Sequence, residues 1–109
     1  MPPSASLERQ ATPVARRRFQ GGKVTQSHGD FPEATRAVAA ETGAHLIDLT
    51  EKTAALLERL GDEPSKQLFA PDDNTHFSLR GAHAVARLVA GSLAELGYAI
   101  RLRAPGDPV

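Results

Sequence analysis

Apolar residues recur with helical or strand spacing in three stretches of the chain, separated by polar, Gly-rich or Pro-rich segments. The first stretch opens with Asp30-Phe31-Pro32-Glu33. Asp30 can accept from the orphan amides of a helix start, Pro32 suits the first turn, and Glu33 holds the reciprocal position of a capping box. A helix is predicted from there to about Thr42. Ala34, Ala37, Val38 and Glu41 share one mostly small face, suited to close packing on a sheet, and Gly43 follows as a stop. Ala44 to Leu49 (AHLIDL) is short, mostly apolar and bounded by turn formers, which predicts a strand covered on both faces, as in a parallel sheet. Thr50 is placed to cap a second helix with a stripe of Ala54, Leu57 and Leu60, Leu56 beside it, and Gly61 at its end. Ser78 is placed to cap the longest helix, to about Leu96. There Val85, Leu88, Val89, Ser92, Leu93 and Leu96 keep helical spacing and Gly97 ends the run. Helix, strand and helix in succession predict an α/β fold.

The intervening segments carry less pattern. Met1 to Thr12 is rich in Pro, Ser and charge and is expected to be an unstructured leader, 1–12. Gly21-Gly22 marks a turn, with Val24 in a short extended piece after it. Glu63 to Ala70 reads as a short helix, and Pro71-Asp72-Asp73-Asn74 as a loop. Residues 98–109, with Pro105, Gly106 and Pro108, are expected to be a flexible tail.

Composition narrows the function classes. A chain of 109 residues suffices for one small domain with a shallow core. Thirteen basic residues balance thirteen acidic ones, which argues against a dedicated nucleic-acid binder. With no cysteine there is no disulfide, thiolate metal site or cysteine nucleophile. No apolar run approaches the ~18 residues of a membrane span, and the start has no signal-peptide pattern.

The sharpest chemical signal is Asp73-Asn74-Thr75-His76-Phe77-Ser78, on a loop directly before the last helix. A carboxylate three residues ahead of a histidine can fold back within one turn and hold one ring nitrogen. The other nitrogen is then available to take a proton from a hydroxyl nucleophile, the base-and-orienter half of a Ser-His-Asp arrangement. Other residues have plainer readings. His28, His45 and His83, with Asp72 and His76, match no metal-ligand spacing, so neither metal nor cofactor is expected. Arg16, Arg17 and Arg18 read as a solvated basic loop rather than an anion site, because the chain is neutral overall. Asp48 reads as the strand end that helps start the next helix, and Ser78 as a helix cap rather than a nucleophile.

Asp73 to Ser78, followed by Arg80-Gly81-Ala82 and a long helix, resembles the last conserved block of the SGNH (GDSL-type) hydrolases, in particular rhamnogalacturonan acetylesterase-like members. Thr12-Pro13-Val14-Ala15-Arg16-Arg17-Arg18-Phe19, His28-Gly29-Asp30-Phe31-Pro32 and Leu46-Ile47-Asp48-Leu49 also follow that family's order. The resemblance implies that residues 13–97 are the C-terminal part of a three-layer α/β/α, flavodoxin-like parallel-sheet domain. It maps Asp73 and His76 onto the triad Asp and His. It implies hydrolysis of an ester, commonly an acetyl ester on a carbohydrate, without a metal. The family's nucleophile lies in an N-terminal Gly-Asp-Ser block. Here Gly29-Asp30, Gly61-Asp62 and Gly106-Asp107 are none of them followed by Ser, and the family's Gly-x-Asn-Asp block is also absent. The chain is therefore expected to be the C-terminal portion of such a domain, with an acetylated carbohydrate ester as the substrate of the intact domain and the nucleophile on a missing N-terminal segment. The alternative is a catalytically inactive remnant or interaction module of the same ancestry. With much of the sheet missing, Leu46 or Leu49 should be less buried than in a central strand.

Overall fold

The computed structural model describes residues 9–98; the expectations for residues 1–8 and for the tail beyond Tyr98 lie outside the described residues. Strand β1 (Arg9–Ala11) is followed by a hairpin of β2 (Phe19–Gln20) and β3 (Lys23–Val24), then helix α1 (Phe31–Thr42) and strand β4 (His45–Ile47). Helices α2 (Leu49–Leu60) and α3 (Asp62–Ser65), a 3-10 turn over Lys66–Leu68, and helix α4 (Leu79–Glu95) complete the chain. β1 and β4 pair in parallel, Gln10 opposite Leu46, with α1 on the crossover between them. The predicted α/β class and parallel pairing are both present.

Strand β1 corrects the reading of 1–12 as a leader, since Arg9–Ala11 is strand. Three residues are too few to show an alternation, and a strand this short forms because β4 offers it a ladder. The pairing is continued by Thr12, whose N–H donates to the Ile47 carbonyl at 3.0 Å. β4 is shorter than AHLIDL because Leu49 already opens α2. Ile47 is buried, while Leu46 in β4 and Leu49 at the head of α2 are only half-buried.

Asp48, not Thr50, caps α2, accepting from the Glu51 N–H at 3.2 Å. Its carboxylate also accepts from Thr12 Oγ1 at 2.9 Å and from Arg36 at 2.9 and 3.1 Å. Thr12 Oγ1 in turn accepts from the Thr50 N–H, and the Thr50 hydroxyl donates to the Pro13 carbonyl. This partly buried clasp ties the exits of both parallel strands to α1. The Arg36 guanidinium holds the Asp48 carboxyl below the usual carboxylate range.

The clasp also explains why α1 faces differently from its pattern. Pro32 and Ala39 are its buried residues, whereas Ala34, Ala37, Val38 and Glu41 are exposed. A face of small residues has too little apolar area to fix a helix's rotation, and the reach of Arg36 to Asp48 fixes it instead. Asp30 makes no capping bond, and Glu33 pairs with Arg36 rather than closing a capping box. On α2 the buried line is Thr50, Thr53 and Leu57, with Leu60 at the exposed end.

An apolar cluster joins Leu57, Leu68 and Phe69, with Phe19, Val24, Leu56, Phe77 and Ala84 packed against them. It lies where α2, the β2–β3 hairpin, the 3-10 turn and the start of α4 meet. Gly21 and Gly22 allow that hairpin its two-residue turn, with φ of 58° and 80°.

Candidate active site

The Pro71–His76 loop stands on this cluster. Phe69 and Phe77 form an antiparallel bridge with ring centroids 5.2 Å apart, so the loop's two ends are pinned at a buried neck. Above the neck the Ala70 N–H donates to the His76 carbonyl at 2.9 Å, and the Asp73 N–H to the Ala70 carbonyl at 3.1 Å. The second bond closes a turn with Pro71 and Asp72 at its centre. Asp72 has φ 57°, the positive value that a type II turn needs at this position, and Asp tolerates it better than most residues.

The turn delivers Asp73 to its task. Oδ1 accepts from the backbone N–H groups of Thr75 at 2.6 Å and His76 at 2.8 Å. Oδ2 lies 2.9 Å from His76 Nδ1. These bonds hold the Asp73 carboxyl down from the ordinary 3.8 to about 2, the His76 backbone amide first, the Thr75 amide next and the imidazole third. Asp73 is thus ionised at neutral pH and can only accept, so His76 Nδ1 carries the proton. The lone pair of the neutral ring is left on Nε2. The His76 side chain is 80% exposed, so that nitrogen is accessible. The two residues singled out in the sequence are brought together in the geometry expected of a base and its orienting carboxylate.

Arg17 holds this loop from outside and corrects the reading of Arg16 to Arg18 as a solvated run. Its N–H donates to the Asn74 carbonyl at 2.9 Å and its Nε to Asn74 Oδ1 at 3.0 Å. Its Nη1 donates to Asp62 Oδ1 at 2.5 Å and to the Asp62 carbonyl. Only 11% of the Arg17 side chain is exposed. Arg16 reaches the Ser27 carbonyl at 3.0 Å. Three adjacent arginines give no sign of which turns inward; only the partners 45 and 57 positions away decide it. A depression of about 460 Å³ lies between Arg17, Lys66 and the Pro71–Asn74 arc, next to the Asp73 carboxylate.

The remaining candidates sit elsewhere. The Ser78 hydroxyl accepts from the Gly81 N–H at 3.1 Å and donates to the Gln67 carbonyl at 2.8 Å, so it is engaged as a cap. His28 Nε2 meets the Val14 carbonyl at 2.7 Å, His45 lies in β4 edge-on to Tyr98, and His83 Nε2 accepts from Arg87. Among the described residues no three His, Asp or Glu side chains converge as a metal site. Gly81 has a part that its place in the motif does not reveal. A Cβ there would lie 1.8 Å from the Leu68 carbonyl oxygen, so its lack of a side chain lets α4 start directly against the loop's neck.

No protein-family model matches the sequence. The chain is 42% identical to the rhamnogalacturonan acetylesterase RhgT of Bacillus subtilis, over 83% of this chain and 45% of that protein. It is 38% identical to YesY of the same organism, described as a probable rhamnogalacturonan acetylesterase, over 79% of this chain and 42% of YesY. The chain thus spans less than half the length of these curated relatives. Among solved structures it is similar to protein YxiM from Bacillus subtilis, with a TM-score of 0.76 and 29% identity, over 84% of this chain and 26% of YxiM. The resemblance to SGNH hydrolases of the rhamnogalacturonan acetylesterase-like kind is borne out by these relatives.

Proposed function

From this kinship with rhamnogalacturonan acetylesterases, we propose that the chain is the base-bearing C-terminal portion, residues 13–97, of an SGNH-class carbohydrate acetylesterase. The observation that carries the reading is the hydrogen bond from His76 Nδ1 to Asp73 Oδ2 at 2.9 Å, which leaves the lone pair of the neutral, exposed imidazole on Nε2. His76 is the general base and later the general acid, and Asp73 fixes its tautomer and stabilises the imidazolium. A serine attacks the acetyl carbonyl as His76 Nε2 takes its proton. The tetrahedral adduct then expels the sugar oxygen, to which His76 returns the proton. Water, deprotonated by the same nitrogen, releases acetate and restores the serine. No metal enters these steps.

On this reading the serine and the donors for the developing oxyanion belong to the N-terminal Gly-Asp-Ser block that the resemblance implies and that these 109 residues lack, while Ser78 is committed to its cap. The second reading, an inactive relative that keeps the scaffold, is favoured by that same missing block. A hybrid separates the two. The part of RhgT that this chain does not match is joined ahead of it, and acetate release from acetylated rhamnogalacturonan is measured. The expected result is turnover that falls to background on His76→Ala and drops by about 10³ or more on Asp73→Asn. A folded hybrid whose turnover ignores both substitutions would sink the proposal.

A further inference from the structure

Phe31 is 74% exposed at the head of α1, beside an open depression of about 340 Å³ that it lines with His28, Asp30 and Ala34. Two of its neighbours, Asp30 and His28, are polar, and His28 is held in place. The Asp30 carboxylate makes no capping bond. His28 is fixed through Nε2 on the Val14 carbonyl, which can only accept, so Nδ1 remains an acceptor. The loop before it is braced from within, with Gln26 Nε2 donating to the Gly29 carbonyl at 2.7 Å and Gln26 Oε1 accepting from the His28 N–H. An exposed ring flanked by a carboxylate and a fixed imidazole differs from a purely apolar contact surface. It is linked along the chain to the Asp73–His76 loop. Arg16 holds Ser27 of the Phe31 loop, and the next residue, Arg17, holds Asn74 of the histidine loop. Both loops are therefore anchored on two consecutive residues.

We propose that Phe31, with Asp30 and His28 at its rim, is a stacking subsite for a pyranose ring of the acetylated carbohydrate. The C–H face of a pyranose carries partial positive charge and complements the negative face of an aromatic ring. The hydroxyls at the sugar's edge donate to the Asp30 carboxylate and to His28 Nδ1. A sugar fits this surface better than an apolar helix would, since a helix would leave both polar groups without partners. The inference rests on the acetylesterase reading of Asp73 and His76.

The chain contains no tryptophan and one tyrosine, so Phe31→Trp installs a single reporter at the site. That variant and Val38→Trp, a control farther along the exposed side of α1, are titrated with acetylated rhamnogalacturonan oligosaccharide. Backbone amide shifts of the parent chain and of Phe31→Ala are followed in parallel. The expected result is a saturable emission change in Phe31→Trp, none in Val38→Trp, and at least tenfold weaker binding by Phe31→Ala. If the sugar shifts the amides of residues 73–76 while Phe31→Trp emission stays constant and Phe31→Ala binds normally, the subsite is refuted and the acetylesterase reading stands. Emission that depends on protein concentration and not on sugar means that a second copy covers Phe31, which also overturns the subsite. An active hybrid with unchanged KM for the oligosaccharide on Phe31→Ala refutes the subsite alone, whereas a hybrid indifferent to His76 refutes the reading beneath it.

Discussion

Asp73 is satisfied almost entirely by its own next three residues, so its ionisation is a local property. Its carboxyl titrates at about 2 in the folded chain against an ordinary 3.8. The folded value is the lower one, so the unfolded chain binds the proton first. The stabilisation is complete above about pH 4 and is lost as pH falls towards 2. A carbon-detected titration of the Asp73 side chain should give a midpoint near 2, moving up towards 4 when the loop is unfolded by urea. Asp73→Asn keeps an oxygen for the two backbone amides but turns an NH₂ group towards Nδ1. His76 should then move its proton to Nε2, a change read directly from imidazole ¹⁵N shifts, and the base would be lost without loss of the fold. A ring that keeps its proton on Nδ1 in Asp73→Asn would contradict this account.

At the scale of elements, α4 and the histidine loop depend on how closely they meet. Gly81→Ala places a methyl group 1.8 Å from the Leu68 carbonyl oxygen, a backbone atom that cannot swing away. We expect a loss of about 2 kcal/mol or more in urea unfolding. Gly91, on the same helix, has nothing within 4 Å of the place a methyl group would take, so Gly91→Ala should instead gain about 0.5–1 kcal/mol from helix propensity. Equal effects at the two positions would show that propensity alone governs α4. Arg17 is the loop's other support. Arg17→Lys keeps the charge but not the fork that reaches Asn74 and Asp62 together. Amide exchange at Asp73 and His76 should quicken about tenfold in Arg17→Lys and at least as much in Arg17→Ala. Rates matching the parent in both variants would remove Arg17 from its positioning role.

Across the described residues that loop rests on a small core. Its buried cluster has Leu57, Leu68 and Phe69 at its centre and half-buried residues around them. Leu57, 2% exposed, is the residue whose removal should cost most, about 2–5 kcal/mol for Leu57→Ala. A denaturation midpoint within error of the parent would mean that the cluster does not carry the fold. The same incompleteness bears on activity. On the proposed roles of His76 and Asp73, and with no Gly-Asp-Ser block in the sequence, the 109-residue chain alone should release no acetate from acetylated rhamnogalacturonan above its His76→Ala background. Turnover above that background would point to Ser27 as the next residue to mutate, since Ser78 is held at both ends of its hydroxyl.

What depends on near neighbours is legible in the sequence. The i, i+3 spacing of Asp73 and His76, the Pro-Asp-Asp-Asn turn, the Ser78 cap, the Gly21-Gly22 turn and the long period of α4 are all set within a few residues, and each is present in the fold. Tertiary structure decided what depends on distant partners. Arg9–Ala11 is a strand because β4 lies beside it, and α1 turns its small-residue face outward because Arg36 finds Asp48. Arg17 is drawn inward because Asp62 and Asn74 converge on it. Short polar segments and small-residue faces carry too little apolar area to fix their own environment, so their placement is set by the hydrogen bonds and ion pairs that the assembled chain provides.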